Sequence, residues 1–253
     1  MRPHILITGA SSGIGASLAA EMSKRGMAVG LIARRESELK EICAQLEADG
    51  GTAAWATADV TDFEALQAAV NSLEDQLGPT EILVANAGIS GRSPTSIPEM
   101  SRIQKVMDVN FIGAIHASKA VLPQMLERKS GHLVVVSSVA GFRGLPKSSA
   151  YSSSKAAIST YWESMRVELA PIGIAATTIN PGYIKTPLTD KNNHPMPFII
   201  SAEKAAKIMA NGILARRKII TFPWRMRWVM RLIRFMPVWI YDRLVKQTGE
   251  RYR

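Results

Sequence analysis

Cysteine is almost absent from this chain of 253 residues, where Cys43 stands alone. A single thiol forms no intrachain disulfide and no cysteine metal cluster, so a reducing compartment and no metal centre are expected. Long apolar runs are also missing. No stretch of 18 apolar residues free of charge occurs, which argues against a membrane-spanning helix. The first apolar run begins at His4, leaving no room for the charged and apolar regions of a signal peptide. These absences point to a cytoplasmic protein, at most peripheral on the inner face of a membrane. Internal repeats, low-complexity segments and linkers are lacking too. With 47% hydrophobic residues there is enough to build one large core.

Acidic residues are scarce in only one place. The net charge is +10, yet residues 216–253 hold eleven Lys/Arg against Asp242 and Glu250, while the other 215 residues are nearly balanced. The basicity therefore belongs to the C-terminal segment. Two units are expected: residues 1–221, and a basic helical extension over 222–253. In that extension Arg227, Arg231 and Arg234 fall on one helical stripe, and Trp228, Val229, Leu232, Ile233, Phe235 and Met236 cover most of the remainder. Pro237 should break the helix, with a second short one over 238–245. A basic stripe beside tryptophans suits a helix lying in a membrane interface. Packing over a substrate cleft or against a partner subunit is the alternative, and no nucleic-acid partner is called for.

The body of the chain alternates apolar runs with helical patterns. Runs at 4–7, 28–32, 53–58, 81–85, 133–137, 174–179 and 218–221 read as strands. Helices are expected between them, with capping boxes at Thr61–Glu64 and Ser96–Glu99 and one long helical region over about 98–127. Such alternation predicts an α/β fold, a doubly wound parallel sheet of about seven strands with helices on both faces.

Three features on this frame carry chemistry. The first run leads into Thr8-Gly9-Ala10-Ser11-Ser12-Gly13-Ile14-Gly15 and then a helix. Glycines let backbone approach a pyrophosphate, and the helix N-terminus offers unpaired N–H groups. The second run ends in Ala33-Arg34-Arg35 rather than in an acid, which favours a ribose 2′-phosphate and hence NADP(H) over NAD(H). Glu36 keeps the second cofactor open. Finally, Ser137 and Ser138 close the fifth run, Tyr151 follows thirteen residues after Ser138, and Lys155 comes one helical turn later. A phenol titrates near pH 10, and a fixed ammonium beside it would lower that value, so a carbonyl could be protonated near neutrality.

Taken in order, these motifs, with Asp59-Val60, Asn86-Ala87-Gly88, Asn110 and Pro181-Gly182 followed by Thr186, resemble the short-chain dehydrogenase/reductase family over about residues 4–221. Ala85 departs from it, where the family often has a further asparagine. The resemblance implies a Rossmann-type domain and hydride transfer between a nicotinamide and a carbonyl or alcohol. It implies that Gly9, Ser11, Gly13, Ile14 and Gly15 cradle the pyrophosphate and Arg34 takes the 2′-phosphate. Asp59 and Val60 would edge the adenine, and Asn86, Ala87 and Gly88 would line the adenine ribose. Pro181, Gly182 and Thr186 would hold the carboxamide. Ser138 would orient the substrate carbonyl, with Ser137 its rival. Tyr151 would exchange the proton, Lys155 would bind the nicotinamide ribose and lower the Tyr151 pKa, and Asn110 would hold a water linking Lys155 to solvent. A homodimer or homotetramer through the helices near 100–127 and 149–170 is also implied. The apolar residues Met196, Phe198, Ile199 and Ile200 hint at a lipophilic ketone or aldehyde as substrate. A nucleotide-binding sensor or scaffold, recruited by the tail, is the competing function.

Overall fold

The computed structural model describes residues 2–90, 98–190 and 195–249. Seven parallel strands form the main sheet: β1 (His4–Thr8), β2 (Ala28–Ala33), β3 (Thr52–Thr57), β4 (Thr80–Ala85), β5 (Gly131–Val136), β6 (Ile174–Pro181) and a late edge strand, β9 (Ile219–Phe222). Their spatial order is β3-β2-β1-β4-β5-β6-β9. A separate parallel pair joins two short strands, β7 (Ile184–Lys185) and β8 (Ile200–Ser201). This is a Rossmann-type fold, and the order reverses between β1 and β4, the crevice where such sheets bind ligands.

The strands read as continuous apolar runs because both faces are covered. Every residue of β1, β2 and β5 is buried. Alternate side chains then enter opposite cores. Ile5, Ile7, Val29, Leu31, Val134 and Val136 join α1 (Gly13–Lys24), α2 (Glu36–Ala48) and α7 (Ala202–Leu214) on one face. Leu6, Ile32, Leu83, Leu133 and Val135 join α3 (Phe63–Leu77), α5 (Gly113–Glu127) and α6 (Ser149–Leu169) on the other. There Trp162 is fully enclosed, its indole N–H donating to the Leu133 carbonyl at 3.2 Å.

One local expectation differs from the structure, and another gains detail. The cap of α3 is Asp62, whose carboxylate accepts from the Ala65 N–H, while the Thr61 hydroxyl turns back to donate to Asp59 at 2.8 Å. The long helical region expected near 98–127 is continuous from α4 (Met100–Met107) through a π-helical turn over Asp108–Ile112 into α5. Ser96 of the second expected capping box falls outside the described residues, and Glu99 caps α4 without a side-chain bond. After β9 come α8 (Trp224–Phe235) and α9 (Val238–Gly249), separated at Pro237 as its missing N–H requires.

Candidate active site

The C-terminal ends of β1, β4, β5 and β6 meet at one edge of the sheet, and the residues singled out above gather there. Gly9 takes φ +66°, and a Cβ on it would fall 2.7 Å from the Ala87 Cα, so only glycine lets the β1 turn lie against the end of β4. Asn86 fastens the same junction. Its side-chain amide donates to the Thr8 and Gly9 carbonyls at 3.0 and 3.2 Å, and Thr8 Oγ1 accepts the Asn86 and Ala87 N–H groups. With those bonds made, Ala85 can be a buried strand residue with no polar task.

Helix α1 starts beyond this turn with Ser12 as an N-cap lacking a side-chain bond and with no acid in its first turn. Its leading N–H groups and dipole therefore face the crevice. Thr186 stands over them, because a Cβ on Gly13 would meet its methyl at 3.2 Å. Two arginines complete the cationic rim. Arg35 donates to Ser11 Oγ at 2.9 Å and Ser12 Oγ at 2.8 Å, and also to the Ser11 carbonyl. Arg34 makes a looser pair with Asp59 at 3.4 Å. Burial raises the Asp59 pKa, but hydrogen bonds from Thr61 and the Arg34 charge outweigh it and hold the carboxyl below its ordinary range. Free helix N–H groups, glycine backbone and two guanidiniums form a donor set that fits an anionic dinucleotide. Arg35 was absent from the expected site. Its signal, a second arginine directly after β2, was in the sequence but did not say which of the two would turn toward the loop.

The group expected to handle the proton lies across β5 and α6. Ser138 is buried, accepts the Ala140 N–H at 3.1 Å, and hydrogen-bonds the Tyr151 phenol oxygen. Ser137 is removed from contention, since its hydroxyl bonds the Lys155 carbonyl at 2.8 Å and Ser159 Oγ at 2.7 Å. Lys155 is buried, with Nζ 5.8 Å from the centre of the Tyr151 ring and donating to the Val136 carbonyl at 2.8 Å. Burial lowers its pKa to about 8. Burial also pushes the Tyr151 phenol above its ordinary value, against the hydrogen bond from Ser138. The expected depression of the Tyr151 pKa is thus not seen: desolvation dominates, and the amine is itself desolvated and turned to a carbonyl.

Asn110 sits in the π-turn. Its side-chain oxygen accepts the Ile89 N–H at 2.7 Å, and its amide donates to the Ile89 carbonyl at 2.9 Å and Ser154 Oγ at 3.0 Å. Both amide hydrogens bond protein, and the side chain clamps the segment after β4 to α6. A Cβ on Gly88 would be 3.3 Å from Asn110 Oδ1 and 3.5 Å from Lys155 Nζ, which puts Gly88, Asn110 and Lys155 in one spot. Pro181 and Gly182 end β6, where the Gly182 N–H donates to Phe222 at 2.7 Å. Val60 is buried against the other core, one residue from Asp59. Ile14, in the first turn of α1, is half-buried against the core on the α1 face of the sheet.

Above Ser138, the next residue Val139 packs with Met226 and Met230 of α8, flanked by Phe142, Tyr183 and Ile233. This buried apolar cluster ties α8 to the connection that follows Ser138. Arg143, on the connection between Ser138 and Tyr151, donates to the Ile233 and Met236 carbonyls at 2.7 and 2.6 Å and stacks on Tyr241 at 4.2 Å.

A family model described as short chain dehydrogenase matches residues 3–197. The chain is 40% identical over 237 residues to an uncharacterized oxidoreductase of Myxococcus xanthus, covering 94% of each. It is 34% identical to a ketoacyl reductase of Nostoc sp., covering 71% of this chain and 63% of that one. Among solved structures, a variant of actinorhodin polyketide ketoreductase with NADPH superposes with a TM-score of 0.80 at 27% identity, covering 87% of this chain and 95% of that one.

Proposed function

The chain belongs to the short chain dehydrogenase family, and from that premise we propose that it is an NADP(H)-dependent reductase of a lipophilic ketone or aldehyde. The observation that carries the reading is the cluster of Ser138, Tyr151 and Lys155 at the end of β5, roofed by Val139, Met226 and Met230. When bound, the dihydronicotinamide supplies the hydride.

The chain's own residues do the rest. The N–H groups at the start of α1 and the Gly9–Gly15 backbone bind the pyrophosphate. Arg34 and Arg35 bind the 2′-phosphate, with Asp59 and Val60 at the adenine edge and Asn86, Ala87 and Gly88 along the ribose. Pro181, Gly182 and Thr186 hold the carboxamide. Ser138 orients the substrate carbonyl. Tyr151 gives its proton to the carbonyl oxygen as negative charge develops there, a transfer worth about 10²–10⁴ in rate. A phenol held above its ordinary pKa keeps that proton at neutral pH, which favours reduction; the reverse oxidation should gain as pH rises. Lys155 binds the nicotinamide ribose, and a buried amine with a pKa of about 8 can also pass a proton back to the phenol. Asn110 positions this group through Ser154 and Ile89. Assembly into a homodimer or homotetramer through α4, α5 and α6, where Met100, Tyr161 and Val167 stay exposed, goes with the reading.

Fluorescence titration of the full chain with both dinucleotides is the test, followed by NADPH consumption over a panel of long-chain and aromatic ketones and aldehydes. NADPH should bind at least about tenfold more tightly than NADH. Equal affinities would remove the 2′-phosphate assignment. Tight NADPH binding with no turnover on any carbonyl would turn the reading toward a nucleotide-binding scaffold.

A further inference from the structure

Helix α8 has two apolar faces, and only one is covered. Met226, Met230 and Ile233 recur at i, i+4 and i+7 and pack onto Val139, Phe142 and Tyr183 beside Ser138. On the opposite side Trp224, Trp228, Leu232 and Phe235 recur at i, i+4, i+8 and i+11. They are 68, 60, 69 and 82% exposed. Val238 and Trp239, at the start of α9, are as open as these. A contiguous stripe of this kind on a folded surface marks an interaction site.

The surrounding charge indicates what covers it. Residues 224–241 contain Arg225, Arg227, Arg231 and Arg234 and no acid. Helical spacing puts Arg227, Arg231 and Arg234 along one border of the stripe and Arg225 on the other. None of the four forms an ion pair among the described residues. Instead Arg227 and Arg231 lie 5.9 and 5.6 Å from the Trp228 ring, and Arg225 lies 5.4 Å from that of Trp224. That holds the cations at the rim of the apolar stripe. A second copy meeting this face about a two-fold axis would bring four cations against four cations. A lipid surface instead offers hydrocarbon to the stripe and headgroup phosphate to the rim, the pairing that interfacial helices use.

We propose that α8 docks on an anionic lipid surface. Trp224, Trp228, Leu232 and Phe235 enter the boundary between headgroups and acyl chains, and the flanking arginines bind headgroup phosphates. The strand β9 delivers α8 to the same edge of the sheet that holds Ser138, and α8 packs beside it, so docking brings that edge of the protein close to the membrane. That last consequence, uptake of substrate from the bilayer, rests on the reductase reading; the docking does not.

The experiment is co-sedimentation of the full chain with phosphatidylcholine vesicles, with and without about 30% phosphatidylglycerol, alongside tryptophan emission. The expected result is a blue shift and at least about tenfold tighter binding to the anionic vesicles, weakened by salt. The double variant Trp228→Ser/Phe235→Ser should lose at least about tenfold in vesicle affinity with unchanged circular dichroism, thermal midpoint and NADPH affinity. Arg227→Gln/Arg231→Gln/Arg234→Gln should abolish the preference for anionic lipid. The proposal is overturned by absence of vesicle binding, by equal binding to neutral vesicles, or by retention in the serine variant. It is also overturned by a dimer that the serine variant dissociates and that ignores vesicles, or by duplex DNA outcompeting the vesicles. NADPH affinity, measured separately, reports on the reductase reading whatever the lipid result.

Discussion

Lys155 and Phe235 break the same rule in opposite directions. One is a cation enclosed in the interior, the other a phenyl ring left almost wholly in water. Both are unfavourable for folding taken alone. At the crevice the chain offsets the penalty internally: the Val136 carbonyl receives the ammonium, Asn110 and Ser154 brace the helix that carries it, and the pKa falls to about 8. On α8 the guanidiniums meet only aromatic rings and no carboxylate among the described residues, and the rings themselves stay exposed. A penalty compensated within the fold marks a site prepared for a small molecule. One left uncompensated marks a surface awaiting something larger.

The contrast breaks most decisively at Tyr151. Tyr151→Phe should lower kcat by about 10²–10⁴ while NADPH affinity, read by fluorescence titration, stays unchanged. Turnover that survives would take the crevice out of the comparison. Lys155→Met comes next. The folded amine titrates near 8 and the unfolded one near 10.5, so between those values the unfolded state holds more protons and native stability falls as pH drops through the window. Below it the burial penalty is complete. The methionine variant should therefore be inactive yet about 1–3 kcal/mol more stable at pH 7, with the gain shrinking above pH ~8 in urea melts. A variant less stable than the parent would mean the Val136 bond outweighs desolvation.

His132 provides a control remote from both regions. It is buried against Thr177 Oγ1 at 2.7 Å, and burial, helped by the Arg216 charge, lowers its pKa to about 4. The unfolded imidazole protonates below about 6.5 but the folded one does not, so stability should drop as pH falls from 6.5 toward 4. His132→Gln should flatten that slope by about 1–2 kcal/mol in urea melts at pH 7 and 5, without touching lipid or cofactor binding. The smallest expected effect separates the two arginines. Arg35→Ala should weaken NADPH about tenfold and leave NADH unchanged, because its guanidinium already lies against Ser11 and Ser12.

Most of the sheet was legible because strands buried on both faces appear as unbroken apolar runs such as Leu133–Val136, and parallel order follows from the alternation with helices. That Tyr151, Lys155 and Ser138 would lie together was legible for a different reason: Tyr151 and Lys155 are one turn apart on a single helix, and Ser138 is fixed by a short connection, while the roles assigned to them came from the resemblance. What escaped was decided by competition among near neighbours. Asp62, one residue after Thr61, is the cap, and neighbouring polar residues at a helix start look alike in a sequence. A π-turn at Asn110 is one residue of slippage that periodicity over 98–127 cannot register. Arg35 against Arg34 was a choice of rotamer. For α8 the sequence displayed the arginine stripe, but not that Met226 and Met230 would be the covered pair. Helical spacing gives the angle between two faces and is silent on which one meets the protein.

Arg143 links the two regions, since it belongs to the stretch of chain between Ser138 and Tyr151 and grips the end of α8. Anyone wishing to improve the handling of this protein would be tempted to trim its greasy, basic end after Phe222. That cut would remove Met226 and Met230 from the crevice and release the loop that Arg143 anchors. A shortened version would then differ from the parent in the packing beside Ser138. Screening should use the whole chain kept in mild detergent.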